Sequence, residues 1–258
     1  MSKLADKLQS LLKVSTTPLG FHPSASETRE RAMLLIAGLS GADAEEARAL
    51  ADGRADAGLV LSRSLDIKVI ELMVKAMNDI PLGVLLEAGN SEKQAEIIDA
   101  GCDFIVFDMG MPMAVLGGEK VGKFLMLGPS PNQNLVRAIN DLDIDGVVIA
   151  AGGESVITVE HLLVCRRFSE LLTKPVMLSV PSSVMSAELV SLWKAGIDGI
   201  VTPPAQPDEA LKELREAIEA LPKEAKHRRG KLDVILPHYR VDTVAEVEEE
   251  EEEEEEEI

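Results

Sequence analysis

The sequence predicts an α/β fold closed into a (β/α)8 barrel, carrying an N-terminal helix and an acidic C-terminal tail. Three observations lead there. Short apolar runs rich in Val and Ile alternate with helical patterns eight times between Met33 and Leu221. Each run is too continuous for a strand with one wet face and too short for a buried helix, which is how parallel strands covered on both sides read. The alternation also repeats with a period of two strand-helix units, as a barrel built from quarters would.

The clearest unit is KPVMLSVPSSVMSAELVSLWKAGIDGIVTPP, residues 174–204. A proline-led apolar run is followed by an amphipathic segment with apolar residues at Val184, Leu189, Val190, Leu192 and Trp193, ending at Gly196, a good residue just past a helix end. A second apolar run follows Ala195-Gly-x-Asp198. This is a right-handed strand, helix, strand crossover.

Taken in order, Leu4, Leu8, Leu11 and Leu12 recur at helical spacing, so residues 2–14 form a short amphipathic helix. In a barrel such a helix covers the bottom or an open edge. Its polar face is not strongly basic, which disfavours a membrane surface. Residues 16–30 are a polar link whose His22 has no second His or Cys nearby to make a metal site. The eight strands fall at 33–37, 57–61, 82–86, 103–107, 124–127, 146–150, 176–180 and 199–202. Helices fall at 43–51, 66–77, 91–100, weakly at 113–120, then 132–139, 158–172, 183–194 and 207–221. The even strands share a turn: GRADAGLV (53–60), GCDFIVF (101–107), DIDGVVI (143–149) and GIDGIVT (196–202). The third and seventh are proline-led, IPLGVLL (80–86) and KPVMLSV (174–180). The organisation is therefore 1–30 helix and linker, 31–222 barrel, 223–247 extension and 248–258 a glutamate tail.

Composition sets bounds on function. The net charge is −19, of which the segment from His238 onward carries −11, counting Asp242, Glu246 and Glu248–Glu257 against Arg240, so −8 is left on the rest. A moderately acidic globule argues against a phosphate-backbone partner, and nucleic-acid binding is not expected. Cys102 and Cys165 show neither metal spacing nor a disulfide framework, and no apolar run is long enough to span a bilayer. A reduced cytoplasm is the simplest setting. The glutamate run is expected to be disordered by self-repulsion, and residues 223–231 are basic. Its bland roles are solubility or pairing with that basic segment, its sharper one a basic partner. A homo-oligomer is compatible with the sequence and not indicated by it.

Residues 174–201, with Pro-Val, an apolar run, a capped helix and Ala-Gly-x-Asp-Gly-Ile-Val, resemble the last third of the aldolase-type, phosphate-binding TIM barrels. The likeness extends loosely over Met33 to Leu221. It implies a small anionic ligand at the C-terminal mouth, with FMN conceivable on the same basis alone. In that group a Gly-rich loop after the seventh strand and a backbone contact after the eighth hold the phosphate. This sequence instead has Ser179-Val-Pro-Ser-Ser183 and Thr202-Pro-Pro-Ala-Gln206, and proline has no N–H to donate.

In a barrel, chemistry belongs to the C-terminal strand ends. Glu87 and Asp108 end the third and fourth strands and are candidates for base and acid, or for sharing a divalent ion with Glu154; capping the next helices or pairing with Arg63 is the structural alternative. Gly152 and Gly153 read as opening the sixth helix with an anion cradle, or as a tight turn. Ser182 and Ser183 read as anion contacts or caps at the seventh helix. Arg63, the one arginine at the mouth, would neutralise the anion. No lysine falls within a predicted strand, which disfavours a Schiff-base mechanism, and no mouth histidine supports zinc. Met109, Met111 and Met113 form a loop that either covers an apolar ligand or packs on the rim. Two readings result: a lyase- or isomerase-type enzyme on a phosphorylated or carboxylated molecule, or a barrel without catalysis that acts through its Met loop and acidic tail.

Overall fold

The computed structural model describes residues 2–13, 32–50, 55–62, 64–117, 121–128, 133–150 and 155–222. The expected tail, the polar link with His22, Arg63, Gly152, Gly153 and Glu154 lie outside them. Eight parallel strands, β1 (Leu34–Leu39), β2 (Ala57–Val60), β3 (Leu82–Leu86), β4 (Phe104–Asp108), β5 (Gly122–Leu127), β6 (Gly146–Ile149), β7 (Val176–Ser179) and β8 (Gly199–Val201), close in sequence order into one barrel. β8 closes the ring by pairing with β1, Leu34 opposite Gly199. Helices α1 (Lys3–Lys13), α2 (Glu45–Leu50), α3 (Ile67–Met77), α4 (Gln94–Asp99), α5 (Gln133–Ala138), α6 (Val159–Leu171), α7 (Ser186–Lys194) and α8 (Asp208–Glu219) accompany them. The weak helical pattern after the fourth strand is a single 3₁₀ turn, Met113–Leu116.

Strand pleating divides the core in two. Residues pointing outward, such as Leu35, Ile105, Leu125 and Val147, join the helices in one layer. Those pointing inward, including Leu34, Ile36, Leu59, Phe104, Val106, Phe124, Val148, Met177 and Val201, fill the barrel. Phe104 and Phe124 meet edge to face, with centroids 5.6 Å apart and planes at 84°. Gly83 makes room for them, since a Cβ there would lie 2.2 Å from the Phe104 ring.

α1 belongs to the inner layer. Leu4 and Leu8 are fully buried against the strand residues lining the barrel, so this helix plugs the N-terminal end. Asp103, just ahead of β4, fixes it: its carboxylate accepts from Ser2 Oγ at 2.6 Å, Lys3 N at 2.7 Å and Leu4 N at 3.0 Å. That satisfies amides a helix start leaves without intrahelical acceptors, and an anion suits the helix dipole.

The repeated sequence has a physical basis in the same place. Asp56, Asp103, Asp145 and Asp198 each precede an even strand, and each backbone N–H donates to the carbonyl of the odd strand before it, at Leu35, Leu82, Lys123 and Val176. In three of the four the carboxylate returns the bond, accepting from Leu35 N at 2.9 Å, Lys123 N at 2.8 Å and Val176 N at 2.9 Å. The N–H groups of Leu35 and Lys123, second in β1 and β5, and of Val176, first in β7, thereby gain acceptors. In the second quarter the carboxylate of Asp103 goes to α1 instead.

The glycine two residues earlier is explained too. Gly101 and Gly196 have φ of 96° and 95°. Each ends its helix in a Schellman motif: Gly101 N bonds Ile98 O and Cys102 N bonds Ile97 O, while Gly196 N bonds Trp193 O and Ile197 N bonds Leu192 O. Gly-x-Asp thus stops a helix and starts a strand.

Asp56 also holds a buried ion pair, accepting from Arg215 Nη1 of α8 at 3.0 Å. Burial draws the Arg215 guanidinium below its ordinary pKa, against an opposing pull from Glu219. One expectation is corrected here. Lys123 lies inside β5 as its second residue, but on the outward face, where its buried Nζ donates to Leu116 O at 2.7 Å and pairs with Asp143 at 3.0 Å. It braces the outer layer far from the mouth.

Candidate functional site

At the C-terminal end the sheet register decides which side chains converge. Leu86 pairs with Phe107, so the next residues, Glu87 and Asp108, stand opposite each other, and Asp108 pairs in turn with Met126. Glu87 shares the inward parity of Leu85, and Asp108 that of Val106, so both carboxylates are carried on the barrel side of the sheet. Glu87 is half-buried and Asp108 exposed. Beneath them Leu61, Leu85 and Met126 are half-buried against the inner core and make an apolar floor.

Asp108 is oriented by its own turn. Its Oδ1 accepts from Gly110 N at 2.7 Å, and its carbonyl accepts from Met111 N at 3.2 Å. This Asx-type arrangement fixes one carboxylate oxygen. The loop that follows is divided: Met111 and Val115 are buried in the outer core, while Met109 and Met113 are 54% and 84% exposed. It packs down through one set of side chains and presents the other to the outside.

The opposite side of the mouth is closed. Thr202 is buried, and its hydroxyl oxygen accepts from Gly38 N at 3.2 Å. A Cβ at Gly38 would meet Thr202 O at 2.2 Å and Pro203 at 2.9 Å, so β1 and the end of β8 touch through backbone. The loop after β1 is also filled from within. The Glu46 carboxylate of α2 accepts from Ser40 N at 2.8 Å, Gly41 N at 3.3 Å and the Ser40 hydroxyl.

Of the residues expected to hold an anion, Arg63, Gly152 and Gly153 lie outside the described residues, while Ser182 and Ser183 precede the helix they were expected to open. α6 begins at Val159, behind the N-cap Thr158, whose side chain accepts from His161 N while His161 Nδ1 accepts from Thr158 N at 3.0 Å. The helix expected from Thr158 is thus present with Thr158 as its cap, and Gly152 and Gly153 lie outside the described residues. α7 begins at Ser186 after the N-cap Met185, whose N–H is bonded by Glu188 at 2.7 Å. Ser182 and Ser183 sit in the preceding turn rather than at the cap. Ser182 is exposed, and the Ser183 hydroxyl donates to Ser155 O at 2.5 Å, tying the loops after β6 and β7 together.

In the two loops named by the resemblance several amides are engaged or absent: Val180 N bonds Val201 O, Thr202 N bonds Ile36 O and Val184 N bonds Pro181 O, while Pro181, Pro203 and Pro204 have no N–H. Among the described residues no group of three or more His, Cys, Asp or Glu is arranged to hold a metal ion. Burial pushes the thiols of Cys102 and Cys165 up to about 12, which removes both as nucleophiles.

Two mouth residues escaped the sequence reading. Glu46, with Asp43 capping α2 ahead of it, looks in sequence like an ordinary first-turn acid. Lys93 falls in a predicted helix but ends a 3₁₀ turn, Ala88–Lys93, and its Nζ reaches Leu65 O at 3.2 Å, joining the loops after β2 and β3. Only its place seven residues after the strand end at Leu86 hinted at a rim position for it.

No family model matches the chain, and neither does any curated protein. Among solved structures it is similar to tryptophan synthase alpha-subunits from the hyperthermophile Pyrococcus furiosus. One mutant subunit superposes with a TM-score of 0.59 at 16% identity, covering 74% of this chain and 98% of the other. A second mutant gives 0.59 at 18% with the same coverage. The subunit studied for entropic stabilisation gives 0.58 at 17%, again over 74% and 98%. What the chain shares with them is the (β/α)8 barrel fold.

Proposed function

We propose that the mouth binds a small molecule with an apolar body and a phosphate or carboxylate group, and that Glu87 and Asp108 move a proton on it in a lyase- or isomerase-type reaction. One observation carries the reading: the register sets two carboxylates side by side above a half-buried apolar floor. The two differ in surroundings, one half-buried and one exposed and turn-bonded, which is how a pair of acids is given separate roles. In this reading Glu87 takes the proton and Asp108 returns it. Two like charges repel an anion, so the anion belongs away from them. Arg63, Gly152, Gly153, Ser182 and Ser183 are the residues proposed to hold it, toward the loops after β2, β6 and β7. The similar structures support a barrel of enzyme type and extend no further than the fold.

The test is thermal unfolding against inorganic phosphate, ribose phosphates and simple carboxylic acids. A ligand at about 100 times its dissociation constant adds roughly 2.7 kcal/mol of stability. With that ligand in hand, Glu87→Gln and Asp108→Asn are each expected to lower turnover by about 100-fold or more while leaving the fold intact. Unchanged turnover in both removes them from catalysis. The exposure of Met109 and Met113 favours a second reading, a non-catalytic barrel that binds a protein through this loop and its acidic tail. Absence of any shift across the panel selects it.

A further inference from the structure

The capping box that starts α6 is closed by a histidine. Such a box ordinarily pairs an N-cap Ser or Thr with a Glu or Gln three residues on, each side chain accepting from the other residue's backbone N–H. Here the partner of Thr158 is His161. Thr158 Oγ1 accepts from His161 N at 3.3 Å, and Nδ1 of the buried His161 ring accepts from Thr158 N at 3.0 Å.

Histidine changes the chemistry of the cap. Nδ1 accepts only while it carries no proton, so the box requires the neutral ring with its hydrogen on Nε2. A Gln in the same place would accept at any pH, whereas histidine ordinarily titrates between about pH 5 and 8. A proton taken up by this ring goes to Nδ1, where the new N–H meets the Thr158 N–H donor to donor. Thr158 Oγ1, 3.1 Å from Nδ1, cannot replace the acceptor that the Thr158 N–H loses, because an oxygen of the same residue takes His161 N instead. The added positive charge also stands in the first turn of a helix, where the dipole disfavours a cation.

The surroundings supply little to offset that charge. Of the elements packed against α6, β7 brings no charged side chain, α5 brings the exposed Arg137, and α7 brings the exposed Lys194 and Glu188, which is bonded to Met185 N in its own cap. On α6 itself Glu160 is exposed, Arg166, Arg167 and Glu170 lie further along, and the Cys165 thiol one turn on is pushed up to about 12 by burial. The start of α6 is also tied to the loop after β7, since Ser155 O, three residues ahead of the cap, accepts from the Ser183 hydroxyl.

We propose that His161 is a pH-sensitive latch: neutral, it holds the first turn of α6 and, through Ser155, the loop after β7; protonated, it releases both. The latch is independent of the chemistry assigned to the mouth.

Nitrogen NMR of the imidazole, with amide exchange of the full chain, tests it. At about pH 8 the ring is expected to carry its hydrogen on Nε2. As His161 takes up a proton toward about pH 5, the N–H groups of Thr158 and Val184 should lose about five- to ten-fold in protection, corrected for the intrinsic pH dependence of exchange, while the amides of β7 keep theirs. His161→Gln, which retains the box and removes the titration, should hold the protection constant, and His161→Ala should show the lowered value throughout, with circular dichroism unchanged. A hydrogen on Nδ1 in the alkaline sample, a ring that stays neutral in the acid one, or an equal loss of protection in His161→Gln overturns the proposal. A Val184 N–H that keeps its protection while that of Thr158 falls overturns its extension to the loop after β7.

Discussion

At the N-terminal end of the barrel four aspartates are bound into the fold, whereas at the C-terminal end two carboxylates stand at strand tips above a half-buried apolar floor. Asp56, Asp145 and Asp198 hold amides at the lower ends of β1, β5 and β7, Asp103 holds α1, and α1 fills the opening with Leu4 and Leu8. Glu87 and Asp108 instead follow β3 and end β4, with Asp108 exposed. The difference lies along one axis: one end uses its charges to hold the fold together, whereas in the proposed reading the carboxylates of the other end serve chemistry.

That contrast can be broken by substitution. Asp56→Ala is expected to have the largest effect, about 3–5 kcal/mol, because it strands a buried guanidinium as well as removing the Leu35 acceptor. The denaturant midpoint checks it. Leu8→Ala should cost about 2–4 kcal/mol, since the fully buried side chain leaves a cavity at the end of the barrel interior. Asp103→Ala sharpens the comparison within the lower end, because its carboxylate serves α1 rather than a strand. It is expected to cost about 1–2 kcal/mol and to speed amide exchange in α1 ahead of the barrel strands. Equal exchange in both would mean that the plug and the barrel open as one unit. The smallest effect is expected from the mouth: Asp108→Asn, at an exposed side chain, should leave the unfolding midpoint within about 0.5 kcal/mol of the unaltered protein. A loss as large as that of Asp56→Ala would make Asp108 a structural acid and end the comparison.

Much of the barrel is written locally. Strand bounds at 82–86 agree with β3 residue for residue, and the others differ by one or two residues at their ends. The helix expected at 2–14 is present as Lys3–Lys13 and covers the bottom of the barrel, one of its two expected places. Gly101 and Gly196 mark helix ends because only a residue without a Cβ adopts their positive φ cheaply. The candidate site was less legible. Glu87 and Asp108 could be proposed as neighbours because parallel strands in order place consecutive strand ends together. The sixth helix starts where its Thr158 cap predicts, whereas the seventh starts three residues after Ser183, because the Met185–Glu188 pair caps it instead.

By itself the sequence determined the eight-fold alternation, the quarter repeat and the helix stops, since each follows from periodicity and backbone sterics within a few residues. The tertiary structure alone decided what the repeated aspartates do, that Asp103 is diverted to α1, that Glu46 fills the loop after β1, and that α6 turns Val159 and Leu163 outward. Those depend on groups brought together from distant parts of the chain, and a hydrogen bond or an exposed face exists only once ring closure has set its neighbours.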